Sequence, residues 1–317
     1  MNPLSLIYRA VTGARNLAYD TGVFSARLRA PVISVGNISV GGTGKTPFII
    51  YLGEQLKQRD VEFDVLSRGY GRVTKGVRVV DPAGSARDFG DEPLLIARKL
   101  GVPVIVGANR YHAGLFAEQR FGSQLHLLDD GFQHRQLHRD LDVVLLGEGD
   151  LEDKLLPVGR LREPLSSLKR ADFVASQGDS DFRAPAAAGV PTLIQMTRAM
   201  KVDARTAGPV VAFCGIARPH AFFAGLRVAG VNVIAERAFR DHHTYTRADI
   251  QELKKIRDES GAAGFFTTEK DEINLKDLAE QLRPLAIAKL DVSVDRSDEL
   301  LERIMKLVAP GARAAKS

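Results

Sequence analysis

Short apolar runs alternate with longer amphipathic ones through most of this chain. "PVISVG" (31–36), "FDVLS" (63–67), "PVIVG" (103–107), "QLHLLDD" (124–130), "DVVLLG" (142–147) and "DFVAS" (172–176) have the length and composition of buried strands. Between several of them lie "PFIIYLGEQLKQR" (47–59), "DEPLLIARKLG" (91–101) and "RYHAGLFAEQRFG" (110–122), which carry apolar residues at helical spacing. A short strand is expected at "VRVV" (77–80). Strand and helix in alternation predict an α/β fold, a mostly parallel sheet flanked by helices.

The alternation breaks at "GDSDFRAPAAAGV" (178–190) and restarts with "PVVAFCG", "RPHAFFAGLRVAG", "VNVIAE", "ADIQELKKIRDESG" and "GFFTT". We therefore expect residues 1–205 to form one domain and 206–317 a smaller C-terminal α/β domain. "LAIAKLDVSV" and "DELLERIMKLVA" are expected to pack back toward the first. A length of 317 residues suits this division, because single cores stop growing near ~250–300 residues.

At the N-terminus, Leu4, Leu6, Ile7, Val11, Leu17, Ala18, Phe24 and Leu28 recur at loose helical spacing with Arg9, Arg15, Arg27 and Arg29 between them. Residues 1–29 read either as helix packed on the core or as an amphipathic segment on anionic lipid. No run reaches the ~18 apolar residues of a membrane span. The single cysteine, Cys214, excludes an internal disulfide framework, and its apolar setting suggests an inert core thiol. A net charge of +5 favours anionic partners. Without tryptophan or a basic run interleaved with aromatics, nucleic acid is not expected among them.

"GNISVGGTGKTPF" (36–48) lies between a predicted strand and a predicted helix, the setting of a phosphate-binding loop. Gly41, Gly42, Thr43 and Gly44 would turn backbone N–H groups toward phosphate, Lys45 would reach the β- and γ-phosphates, and Thr46 would offer its hydroxyl to Mg²⁺. Ser39 stands where the general pattern has its first glycine. Asp129 and Asp130, at the end of an apolar run, are the candidate metal acids. His134 and His138 are four apart, but the turn at Gly131 argues for solvated loop histidines, with no structural metal.

"VGNISVGGTGKTPF", "SRGYGR", "GDEP", "NRY", "LDDGFQHR", "LLPVGRLREP", "RDHHTY" and "TTEKDEINL", in that order, resemble the tetraacyldisaccharide 4'-kinase family, the lipid A 4'-kinases of bacteria with an outer membrane. Ser39 departs from the general loop but not from this family's version. The resemblance implies a P-loop domain with a smaller domain closing the cleft. It also implies ATP- and Mg²⁺-dependent phosphorylation of the 4'-hydroxyl of a tetraacylated disaccharide 1-phosphate.

Carried over to this chain, the resemblance places the catalytic acid at Asp91, our candidate base, and its histidine partner at His242, with cleft closure needed to join them. Arg110 and Arg162 suit phosphate oxygens, either stabilising developing phosphoryl charge or holding the lipid's 1-phosphate. We place Arg110 with the catalytic groups and Arg162 with the nucleotide. Tyr70 and Gln133 match positions lining the substrate site. The implied partners are a lipid A disaccharide precursor and the anionic inner-membrane surface, met peripherally at its cytoplasmic face, with no obligate protein partner. Two rivals are a P-loop kinase of a soluble small molecule and a P-loop GTPase switch or metallochaperone. The second is weakened because the lysine of "TTEKDE" sits one place late for guanine recognition.

Overall fold

The computed structural model describes residues 25–177, 192–202 and 208–309. Most of the N-terminal amphipathic segment, the 178–190 connection and the expected boundary at 205/206 lie outside the described residues.

One twelve-stranded sheet runs through the molecule. Within it β1 (Val32–Asn37), buried along its whole length, is paired in parallel with β5 (Leu125–Asp129) and β6 (Leu141–Leu146). Beyond β5 lie β2 (Phe63–Ser67), β4 (Val104–Val106) and the short antiparallel β3 (Arg78–Val79). Beyond β6 come β7 (Phe173–Gln177) and β8 (Thr192–Lys201). Strands covered on both faces read as continuous apolar runs, which is why these are so plain in the sequence.

Alternate residues of each strand face different helices. Ile33, Val35, Leu125 and Leu127 join one cluster with α1 (Lys45–Lys57), α3 (Asp91–Leu100) and the C-terminal α8 (Ser297–Val308). The one-turn α2 (Ala86–Phe89) leads into α3. Val32, Leu66, Ile105 and Leu128 pack on the other face against α4 (Arg110–Phe121), together with Leu28. The end of the expected membrane segment is therefore core: Leu28 is buried, and Ala26 bridges to Leu137.

The remaining strands are β9 (Val210–Cys214), β10 (Val233–Ala238), β11 (Gly264–Thr268) and β12 (Leu285–Val294), with helices α5 (Pro219–Val228), α6 (Arg247–Ser260) and α7 (Glu269–Leu275). Here β9 and β11 are surrounded by two apolar clusters of their own. β12 is shared. Residues 285–288 pair in parallel with β11, and 289–294 pair antiparallel with β8. Val292, Val294, Leu300, Leu301 and Ile304 then join the cluster under α1, so the end of the chain packs on the first half. The sequence reading missed β8, whose half-exposed "TLIQMTRAMK" carries no clear alternation.

Candidate active site

The P-loop, Tyr70, Arg110, Asp129 to Gln133 and Arg162 all follow the C-terminal ends of parallel strands, where α/β sheets open a crevice for ligands. The P-loop follows β1. Gly41 and Gly44 adopt φ of 123° and 87°, a region that only glycine enters without strain, and α1 begins at Lys45. Asn37 Nδ2 ties the loop's base by donating to Ser39 O (2.7 Å) and Thr43 Oγ1 (3.1 Å). Ser39 is a brace: its hydroxyl donates to the buried Asp150 (2.7 Å), which also accepts from Gly147 N (2.8 Å).

Lys45 meets Asp130 at 3.3 Å, and Arg162 meets the same carboxylate at 3.2 Å. Burial pushes the Asp130 carboxyl up, but Lys45 and then Arg162 hold it below its ordinary value. Asp129, at the end of β5, accepts from Ser67 Oγ (2.8 Å) through one oxygen, while the other is buried with no hydrogen-bond partner. Burial, then the charges of Glu92 and Asp130, push it up to about 7. Thr46 is buried at the start of α1.

Among the described residues no group of three His, Cys, Asp or Glu side chains forms a metal cage. An orphaned carboxylate oxygen, a second acid and a helix-start hydroxyl nevertheless suit Mg²⁺, which takes few protein ligands and completes its shell with phosphate and water.

Arg110 opens α4, buried, with Nη1 donating to Ala108 O (2.6 Å) and Nε unpartnered. Burial and then Arg68 lower its pKa, against the pull of Asp130 and Asp129. Gln133 turns inward, donating to Asn37 O (2.8 Å) and to the buried Glu163 (3.2 Å). His134 is half-buried, unlike the solvated loop histidine expected, and burial followed by Arg110 and Arg139 pushes it down to about 4. His138 contacts Arg27 and Asp140, and Cys214 is a buried thiol pushed up to about 12.

Asp91 and His242 already touch, so no further closure is needed to join them. His242 Nδ1 lies 2.8 and 3.0 Å from the two carboxylate oxygens. Asp91 sits at the N-terminus of α3, 5% exposed, where it also accepts from Glu92 N (2.9 Å) and Asn274 Nδ2 (3.3 Å). Burial raises the Asp91 pKa, but the His242 hydrogen bond and then Lys270 bring it below the ordinary value. The Asp91 hydrogen bond raises that of His242, against burial and Lys270. Tyr70 is exposed, its ring 5.4 Å from the imidazole. His243 turns away onto Asp249 (3.1 Å) and Phe239.

Lys270 escaped the sequence reading of this site. At the start of α7 its ammonium lies 3.2 Å from Glu92, 3.7 Å from Asp91, 3.6 Å from Asp241 and 3.4 Å from His242 Nε2. "TTEKDEINL" is one of the motifs that carry the resemblance, but its lysine has no role assigned from the sequence.

The family description "Tetraacyldisaccharide-1-P 4'-kinase" matches residues 1–309. The tetraacyldisaccharide 4'-kinase of Koribacter versatilis is 46% identical over 97% of this chain and 98% of its own. The chain belongs to the tetraacyldisaccharide-1-phosphate 4'-kinase family. That of Geobacter metallireducens is 38% identical over 92% of both chains. A crystal structure of LpxK from Aquifex aeolicus in complex with ATP superposes with a TM-score of 0.80 at 34% identity, covering 97% of this chain and 98% of that one. The P-loop α/β fold is thus that of a kinase family, and its chemistry is ATP-dependent phosphoryl transfer.

Proposed function

We propose that this chain transfers the γ-phosphoryl group of ATP to the 4'-hydroxyl of a tetraacyldisaccharide 1-phosphate in lipid A biosynthesis. The observation that carries the mechanism is the Asp91–His242 contact beside the P-loop acids. Lys45 and the Gly41–Thr46 backbone hold the phosphates, while Thr46, Asp129 and Asp130 are the residues to hold Mg²⁺. An ion held there would supply positive charge against the phosphates. Arg110 and Arg162 flank the same acids and stabilise phosphoryl charge.

The motif resemblance, with the chemistry of a carboxylate, put the base on Asp91. The geometry favours His242. The Asp91 carboxylate is spent on Nδ1, Asn274 and its own helix start, while His242 is the more exposed partner, and its Nε2, 3.4 Å from the Lys270 ammonium, is held as an acceptor. The 4'-hydroxyl proton passes to His242 Nε2, the oxygen bonds to the γ-phosphorus, and the bond to the ADP oxygen breaks. Asp91 orients the ring and stabilises the imidazolium, the division of labour of a base with an acidic orienter. Tyr70 stands beside the ring to receive the acceptor. Gln133 acts through the P-loop's base.

The two-unit reading, 1–205 and 206–317, is supported by the separate apolar clusters around β9 and β11, with residues 289–309 packing instead with the first half. No described helix is long and apolar enough to cross a membrane. Residues 1–24, with Arg9 and Arg15 between apolar positions, are left as the segment that meets the anionic cytoplasmic face of the inner membrane, since Leu28 is buried in the core. Transfer of label from γ-labelled ATP to detergent-solubilised acceptor, lost in Lys45→Ala, tests the activity. Sedimentation with anionic vesicles before and after removal of residues 1–24 tests the surface, and undiminished binding would refute it.

A further inference from the structure

The loop between β9 and α5, residues 215–218, spans from the His242 dyad to the P-loop. At one end Gly215 is bolted down: its N–H donates to Asp271 Oδ1 (2.8 Å) and its carbonyl accepts from His242 N (3.1 Å). At the other end the loop lies over the P-loop, where a β-carbon built on Gly42 would stand 3.8 Å from Ala217 Cβ. The next residue, Arg218, reaches the same place. A β-carbon built on Gly147, just beyond β6, would lie 3.1 Å from Arg218 Nη2, 3.4 Å from Thr43 Cγ2 and 3.4 Å from Asp150 Oδ2. The guanidinium is therefore a P-loop neighbour, although it comes from the opposite half of the chain.

Asp150 beside it is already engaged by Ser39, Gly147 N and Arg160. Among the described residues Arg218 forms no ion pair. A guanidinium without a carboxylate of its own, beside a loop built for phosphate, is placed to pair with an anion.

We propose that Arg218 takes the anionic polyphosphate of the bound nucleotide and so ties the 215–218 loop, with His242 on its far end, to ATP. This rests on the reading of the P-loop as the ATP site. Guanidinium contacts to phosphate are among the strong hydrogen bonds, and losing one weakens binding by about ten- to a hundredfold. The acceptor also carries phosphate, so the two sources must be separated.

The test compares Arg218→Gln, Arg218→Lys and Lys45→Ala in the full chain, with KM for ATP, KM for the lipid acceptor and the rise in Tm produced by Mg²⁺–ATP without acceptor. For Arg218→Gln we expect KM for ATP to rise by about ten- to a hundredfold and most of the ATP-induced Tm rise to vanish. KM for lipid and the ligand-free Tm should stay unchanged. Arg218→Lys, which keeps the charge, should recover most of the loss. Wild-type ATP binding in Arg218→Gln, or a change confined to KM for lipid, would overturn the proposal. If Arg218→Gln lowers the ligand-free Tm, Arg218→Met removes the charge while keeping the apolar stem, and unchanged ATP binding there would overturn the proposal. Loss of ATP binding in Lys45→Ala but not in Arg218→Gln sinks this inference alone; intact binding in both sinks the P-loop reading.

Discussion

Replacing Asp91 by asparagine keeps the side chain's shape and removes its charge, which makes it a direct probe of the dyad. In the native site the carboxylate receives Nδ1 of His242 at 2.8 and 3.0 Å. A hydrogen bond to a charged group contributes about 1.5–3 kcal/mol, and His242 is only partly buried, so the lower part of that range applies. Loss of about 2 kcal/mol of imidazolium stabilisation lowers kcat by roughly 30-fold. The amide can also turn its NH₂ toward Nδ1, which moves the ring proton to Nε2 and removes the base, and the fall then approaches about 10⁴.

The pH profile separates this from a merely structural loss. The base must be neutral, so activity falls as pH drops through the His242 pKa, which the Asp91 hydrogen bond raises. Removing that cause moves the acid limb to lower pH. The assay is label transfer to the lipid acceptor from about pH 5 to 9, with ATP affinity measured in parallel and expected to be unchanged. An unmoved limb with wild-type kcat would refute the dyad. A collapse in Asp91→Asn while His242→Gln keeps both rate and profile would return the base to Asp91.

Lys270→Met should move the same limb the other way, because the ammonium opposes protonation of His242; a limb that stays in place shows that the lysine only packs. Ser39→Gly, which restores the general P-loop pattern, should lower stability in urea by about 1–3 kcal/mol by stripping a partner from buried Asp150, and an unchanged midpoint would refute the brace. His126, buried against Asp64 (2.9 Å) and Glu118 (3.5 Å), has its pKa raised: burial opposes its charge, and Asp64 and then Glu118 more than offset this. The stability this adds is full below the unfolded-state pKa and fades as pH rises through the folded one. His126→Gln should therefore cost more at pH 6 than at pH 9, and an equal cost at both would contradict the charged pair.

Local pattern determined much of this protein. A central parallel strand such as "VISVG" must be apolar on both faces, and a loop that turns its N–H groups inward must place glycine at Gly41 and Gly44, so the sheet, the P-loop and the acids after β5 are all legible in order along the chain. The motif resemblance carried Asp91 and His242 as well, but not their arrangement. Whether they touch, and which of them is left with a free nitrogen or oxygen, depends on β12 and α8 carrying the second half back onto the first. Lys270 and Arg218 were decided there too, and the Ser39–Asp150 brace by β1 and β6 lying side by side: each joins residues far apart in the chain, and the surroundings that set a charge's partners and its pKa exist only once those segments pack.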